Sequence, residues 1–188
     1  MRAGIRCVER KGLQGLSIED VAQEAGVSRT TIYRYFPGGR AQMVEETATW
    51  EVARFWERLA RAVADLPTLE ERLVRGLELG SQIIKRSTIM ANLMDPELNE
   101  LVSALQPAEP IVHQVIRDYL AELLVEEAEA GRLRDGIDLR QAADYLTRMM
   151  ISFLGSPAGW DLTDADQTRR LVRREFLGGI VRPTVAPG

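Results

Sequence analysis

The sequence is poor in the residues on which most catalytic and metal sites depend. Its 188 residues include one cysteine, Cys7, and one histidine, His113. A single cysteine excludes an intramolecular disulfide and a cysteine-rich metal site, and it fits a reducing compartment. With one histidine and one cysteine, only one set of residues could form a histidine-assisted nucleophile. In addition, no glycine-rich phosphate-binding loop follows a strand. These shortages argue against an enzyme, and the sequence indicates neither a metal nor a cofactor.

Long hydrophobic runs are also missing. No apolar segment approaches the roughly 20 residues that span a bilayer, and the opening MRAGIRCVERKG has no apolar stretch of the signal-peptide type. We therefore expect a cytoplasmic protein that does not enter a membrane. The composition, 45% hydrophobic and 28% charged, is that of a globular protein. Leucine, alanine, glutamate and arginine dominate it, and because all four favour helices, we expect an all-α fold.

Charge is distributed unevenly along the chain. Residues 1–40 carry seven Lys/Arg against four Asp/Glu, a surplus of three positive charges, whereas the whole chain has a net charge of -4. A positive N-terminal segment on a negative body is typical of a small module that binds a polyanion. The surplus is modest, so uneven surface charge remains the alternative interpretation at this level.

Capping and glycine signals predict short helices near the N-terminus. Ser17, with Asp20 three residues later, predicts the start of a second helix, and Gly26 predicts its end. Ser28 predicts the start of a third helix, which the sequence Pro-Gly-Gly stops after Phe36. Two short helices joined by a turn that contains glycine indicate a helix-turn-helix unit.

The remainder of the chain predicts long amphipathic helices. A helix of about 25 residues starts near Arg40, since apolar residues recur at three- and four-residue spacing. Thr68 and Glu71 form a capping box for the next helix, Asp138 caps another, and a last helix begins near Thr163.

These elements predict three parts. Residues 1–43 form a small three-helix domain with the helix-turn-helix unit, residues 44–181 form a larger helical domain, and residues 182–188 form a flexible tail.

The third helix has one apolar and one polar side. At 100° per residue, Ile32 and Phe36 share a side that can pack on Val21, Ala22 and Ala25. No carboxylate occurs between Ala25 and Gln42, and the opposite side and its flanks carry hydrogen-bond donors: Arg29, Thr30, Thr31, Tyr33, Arg34 and Tyr35. Such donors reach phosphates and base edges when a helix lies in the major groove. The alternatives are that the tyrosines brace a helical hairpin or that this face binds another protein.

The stretch GLSIEDVAQEAGVSRTTIYRYFPGGRAQMV resembles the DNA-binding region of the TetR (tetracycline repressor-like) transcription regulators, over residues 5 to about 46. The resemblance implies that Ser17, Thr31, Tyr33 and Tyr35 hold phosphates and that Arg29, Thr30 and Arg34 face bases or nearby backbone. Ser28 and Arg40 complete the candidate DNA contacts. One departure is that the family usually has two residues between the phenylalanine and a lysine, whereas three residues separate Phe36 from Arg40.

The same resemblance implies a homodimer that binds a palindromic operator in double-stranded DNA, usually as a repressor. The sequence adds that apolar residues extend most of the way around the penultimate helix, so a second face needs a partner. The alternative is that this helix is central within one chain. The candidate interface residues are Ala142, Leu146, Met150, Phe153, Leu154, Leu171 and Phe176.

The larger domain of such regulators commonly encloses a small, often apolar ligand whose binding releases the DNA. The candidate pocket residues here are Trp56, Met90, Asn92, Met94, His113, Arg117, Tyr119, Tyr145 and Met149. Each also has a plain interpretation as a core or surface residue. The alternative functions are a regulator that needs no ligand and a helical protein-interaction module.

Overall fold

The computed structural model describes residues 2–12, 15–87 and 109–182, and within these ranges the chain is helical. These ranges contain eight α-helices: α1 Arg2–Lys11, α2 Ile18–Ala25, α3 Arg29–Tyr35, α4 Gly39–Val63, α5 Leu69–Arg86, α6 Glu109–Glu129, α7 Leu139–Gly155 and α8 Ala165–Leu171. A π-helical turn, Val172–Phe176, continues α8. The all-α prediction is confirmed. In the described ranges no helix is long and apolar enough to cross a membrane.

Local capping signals set the helix boundaries. The Ser17 side chain accepts the Asp20 amide at the start of α2, and Gly26 ends that helix with a φ of 66°, the left-handed conformation that glycine adopts without strain. Asp138 likewise caps α7 through two backbone amides. These predicted boundaries are confirmed, because each depends on residues only a few positions apart.

The chain folds into two compact units. The first contains Met1–Phe55 and Ile83–Pro110, and the second contains Trp56–Gln82 and Ile111–Gly188. The division falls within α4, whereas the boundary expected from the sequence lay at residue 43. The reason is that the first four turns of this 25-residue helix complete the core of the first unit, with Met43, Ala48 and Phe55 buried.

The core of the first unit forms around α1, α2, α3 and the beginning of α4. Val21, Ala22 and Ile32 are buried as predicted, whereas Ala25 is exposed because it is the last residue of α2. The α1 and α4 helices approach closely at Gly4, where an added Cβ would lie 3.1 Å from the Thr47 hydroxyl. The apolar side of α3 is therefore fixed, and its opposite side faces outward.

The second unit buries most of the residues predicted for a dimer interface. Ala142, Leu146, Met150, Leu154, Leu171 and Phe176 are buried within the single chain. Gly76 of α5 packs on α7, since its Cβ position lies 3.5 Å from Met150 Cε. Phe153 is partly exposed, and its ring lies 5.6 Å from that of Phe176. The apolar surplus of α7 is thus largely used by the chain's own core, because α5 and the π-helical turn pack against it.

The π-helical turn keeps the end of the last helix packed on the core. Thr168 and Leu171 are buried before the turn, and Val172 and Phe176 are buried at its two ends. Leu177 and Ile180 are buried in the non-helical segment that follows.

Residues beyond the last helix are tied to the loop after α6. Leu133 and Val181 form an isolated antiparallel β-bridge, and the Arg182 amide donates to the Arg132 carbonyl at 2.9 Å. The Arg182 guanidinium donates to the Leu133 carbonyl and the Asp135 carboxylate, both at 2.6 Å. Arg182, the first residue of the predicted flexible tail, is therefore held in place, and residues 183–188 lie outside the described ranges.

Candidate DNA-binding surface

The α3 helix presents a polar, solvent-facing surface. Its seven residues follow Ser28, whose side chain accepts the Thr31 amide, and the buried Ile32 seats the helix. Tyr33 and Tyr35 are 52% and 66% exposed, a large exposure for aromatic side chains. Most of the residues predicted to contact DNA share this exposed surface: Arg29, Thr30, Tyr33, Arg34 and Tyr35.

Some of the hydroxyl groups predicted to contact DNA form hydrogen bonds that cap α2 and α3. The Ser17 hydroxyl accepts the Asp20 amide at 3.1 Å and donates to Asp20 Oδ2 at 2.7 Å. Its proton is therefore used within the protein, and a phosphate oxygen needs a donor. The hydroxyls of Ser28 and Thr31 lie 3.0 Å apart and share one hydrogen bond, which leaves one of the two protons for another acceptor.

Arg29 forms an ion pair that the sequence interpretation missed. Its Nη1 lies 2.9 Å from Oε1 of Glu19, in the first turn of α2, and both side chains are more than half exposed. The sequence has no carboxylate from residue 25 to residue 42, but the fold places Glu19 of α2 beside Arg29.

Arg34 contacts an aromatic ring, unlike Arg29, which pairs with a carboxylate. Its guanidinium lies over the Tyr35 ring, 5.4 Å from the centroid, and within the described residues no carboxylate pairs with it. An arginine held by a ring face keeps its hydrogen-bond donors available for phosphate or base edges.

Arg40 contacts the backbone of its own domain. Its Nε donates to the Leu16 carbonyl at 2.7 Å, so it joins the beginning of α4 to the residue before the α2 cap. The Pro-Gly-Gly turn, with its additional residue, lies directly before Arg40. The contact with Leu16 was not predictable from the sequence, because the two residues are 24 positions apart.

Three of the basic residues counted in the N-terminal surplus are paired within the domain. Arg6 and Arg10 of α1 each contact Glu24 at 2.6 Å, and Lys11 contacts Asp20 at 2.7 Å. The hydrogen bonds from Arg6 and Arg10 lower the pKa of the Glu24 carboxyl below its ordinary value. These pairs fasten α1 to α2, so the cations left for a polyanion are concentrated on and after α3.

A family model described as "Bacterial regulatory proteins, tetR family" matches residues 1–47. This range contains α1, α2, α3 and the polar face described above. Residues 1–47 are thus similar to the N-terminal domain of the tetR regulatory proteins.

Similarity to known proteins extends beyond this domain. The chain is 23% identical over 147 residues to the fatty acid metabolism regulator protein of Bacillus subtilis (strain 168), which covers 77% of this chain and 74% of that protein. The TetR family repressor AlkX from Dietzia sp. strain DQ12-45-1b, implicated in biodegradation of n-alkanes, has a TM-score of 0.64 at 23% identity and covers 91% of this chain and 89% of its own. FadR from Bacillus subtilis in complex with stearoyl-CoA has a TM-score of 0.57 at 18% identity, covering 95% and 96%. The two structures therefore share the fold over most of this chain.

The residues predicted for a ligand pocket are only partly described. Met90, Asn92 and Met94 lie outside the described ranges, and the others belong to the second unit: Trp56, His113, Arg117, Tyr119, Tyr145 and Met149. His113 Nε2 lies 3.8 Å from Asp144 Oδ1, and the Tyr145 hydroxyl donates to the Glu175 carbonyl. None of these six residues lines the cleft of about 560 Å³ that the second unit contains.

Replacing Glu19 with glutamine is expected to strengthen binding of duplex DNA by the tetR-type domain about five-fold, because an exposed ion pair holds Arg29 by up to about 1 kcal/mol. The change also removes a carboxylate next to the phosphates. Fluorescence anisotropy with a labelled duplex measures the effect at low salt. Glu9→Gln is the matched control, since Glu9 is an exposed acid of α1 in the same domain. Equal effects of the two substitutions would show that the Glu19–Arg29 pair has no specific influence.

Proposed function

We propose that this chain is a DNA-binding transcriptional regulator that represses its target genes from the cytoplasm. In this proposal a homodimer binds a palindromic operator, and a small, apolar ligand releases it. The observation that carries the proposal is the exposed face of α3, where Arg34 and two tyrosines project from a tetR-type domain. A helix with such donors on its outer face suits the major groove.

The absence of acids on α3 supports DNA over a protein partner. Arg34 meets an aromatic ring instead of a carboxylate, and Arg29 needs only to exchange Glu19 for a phosphate. A surface that binds another protein by packing would gain from exposed aliphatic residues, which are depleted here: α3 buries its single aliphatic side chain, Ile32.

Dimerisation is proposed because one small module contacts only one half-site. Six of the seven candidate interface residues are buried in the single chain, so the proposed contact involves the partly exposed Phe153 and its neighbours on α7. Arg148 and Met149 lie three and four residues after Tyr145, and Ser152 lies three residues after Met149, so these residues share a side of α7. All four are at least partly exposed.

The apolar ligand is supported by the descriptions of the relatives, which name fatty acids, stearoyl-CoA and n-alkanes. We propose a ligand with a long acyl or alkyl chain. One predicted pocket residue has a matching feature, since the Tyr119 hydroxyl is buried and has no hydrogen-bond partner in the described ranges. Burial raises the pKa of this phenol, which therefore stays protonated and can donate to a polar group of a ligand.

Selection from a random DNA pool tests the central proposal, and a palindromic sequence is expected. With that sequence, Arg34→Ala is expected to reduce discrimination at one base position by about 1 to 3 kcal/mol. Tyr33→Phe is expected to weaken binding to all sequences alike, because a phosphate contact carries no sequence information. Competition assays with selected and random duplexes measure both variants. Equal losses of Arg34→Ala on the two duplexes would remove Arg34 from base recognition, and failure to enrich any sequence would contradict the proposal.

A further inference from the structure

A cleft in the second unit is rich in arginine and lies apart from the predicted ligand pocket. It is formed by the first turn of α5, the end of α6 with the loop after it, and the last helix with its extension. Its volume of about 560 Å³ lies in the range of small-molecule sites. Five arginines line it: Arg132, Arg134, Arg169, Arg173 and Arg182. We infer that this cleft binds a phosphate-bearing small molecule.

The positive charges in the cleft exceed the negative ones. Three carboxylates line the cleft beside the five guanidinium groups, those of Glu70, Glu71 and Glu127. Asp135 also pairs with Arg182 at 2.6 Å, which leaves a surplus of one positive charge. Glu70 is shared, since Arg173 Nε contacts it at 2.9 Å and Arg169 Nε at 3.7 Å. A phosphate group supplies the negative charge that balances this surplus.

Several guanidinium donors in the cleft have no acceptor within the described ranges. Arg134 donates only through Nε, to the Val181 carbonyl at 3.2 Å. Arg173 uses its Nε for both oxygens of Glu70. The terminal nitrogens of both arginines remain available, and a guanidinium fork matches the oxygens of a phosphate in geometry and charge.

The walls of the cleft are fixed before any ligand binds. Glu127 is buried and accepts two hydrogen bonds from Arg132 at 2.7 and 2.9 Å. The Arg134 amide donates to the Ile180 carbonyl at 2.9 Å, next to the β-bridge. Because the backbone that carries the arginines is held in this way, little conformational entropy is lost on binding.

A small molecule suits the cleft better than a macromolecule does. The arginines lie in a concave site, and its walls include the apolar side chains of Leu69, Leu177 and Val181. The cleft is larger than a phosphate ion needs, so an organic group attached to the phosphate has room beside these apolar walls. The arginines would recognise the phosphate group, which inorganic phosphates and phosphorylated organic molecules have in common.

Titration calorimetry of the full chain tests the inference, with inorganic pyrophosphate and ADP as probes at constant ionic strength. Saturable binding with one site per chain is expected. Arg134→Gln and Arg173→Gln are each expected to weaken it about ten-fold or more, since each removes a charge-assisted hydrogen bond. Arg140→Gln is the matched control, because Arg140 is an exposed arginine of the same unit outside the cleft. Circular dichroism of each variant verifies its fold.

The results distinguish a phosphorylated organic ligand from free phosphates, and specific binding in the cleft from nonspecific binding. Tighter binding of ADP than of pyrophosphate indicates a phosphorylated organic ligand, and equal binding indicates free phosphates. Binding that does not saturate, or equal affinities in the three variants, overturns the inference. Operator binding by the same variants is measured separately, so failure of the cleft and failure of the proposed regulatory function remain distinguishable.

Discussion

Raising the salt concentration from about 50 to about 200 mM is expected to weaken operator binding by a dimer about a thousand-fold, because roughly six phosphates are neutralised and their counterions released. On and after α3, each domain carries three arginines whose positive charges lie near the proposed DNA face, Arg29, Arg34 and Arg40. Anisotropy titrations over this salt range measure the slope of log K against log salt concentration.

The structure sharpens this expectation, because the three arginines differ in their partners. If Arg29 stays on Glu19 in the complex, a dimer neutralises about four phosphates and the fall is about a hundred-fold. The Glu19→Gln variant then restores the steeper slope. A response that is flat in both proteins would contradict DNA binding through this face and favour the protein-interaction alternative.

Removing the carboxylate of Glu127 is expected to destabilise the fold by about 3 kcal/mol in the Glu127→Ala variant. Glu127 accepts the buried amide of Leu69 at 3.0 Å and both hydrogen bonds of Arg132. Without it, the first amide of α5 has no acceptor and the loop after α6 loses its attachment. The melting temperature should fall by about 6 to 12 °C for a chain of this size.

The control for this prediction is Glu126→Ala. Glu126 is the neighbouring acid, exposed and paired with Arg72 at 2.8 Å, so its removal should cost no more than about 1 kcal/mol. Calorimetric melting of both variants measures the difference. Equal losses would show that the buried hydrogen bonds of Glu127 contribute nothing beyond an ordinary surface pair.

The pH dependence offers a second measurement of the same contact. Burial raises the pKa of Glu127, but the hydrogen bonds from Arg132 and from the Leu69 amide outweigh it and lower the pKa below its ordinary value. Stabilisation by the carboxylate is therefore complete above the unfolded-state pKa and is lost as the pH falls through the folded-state pKa. The stability difference between wild type and Glu127→Gln should shrink over that acidic range.

Sequence reasoning predicted best where the physical cause is local. The caps at Ser17, Ser28 and Asp138 and the end of α2 at Gly26 were predicted because a cap and its partner lie within a few residues. The apolar side of α3 was likewise predicted from helical period, and Ile32 is buried as expected.

Contacts between distant residues were not predictable in this way. Arg40 meets a carbonyl 24 positions away, and Arg173 meets Glu70 across 103 positions. Ala25 shows the same limit, because the sequence placed it among the residues that pack on α3, yet it is exposed. The period of a helix tells which residues share a side, but only the neighbouring helices decide which side is covered.

The π-helical turn at Val172–Phe176 holds one residue more than an ordinary α-helical turn. Loss of one residue inside it would return it to an α-helical turn, so the chain can shorten there without breaking the helix. The same loss earlier in α8 would rotate the residues after it by about 100° and carry the buried Leu171 and Val172 away from the core.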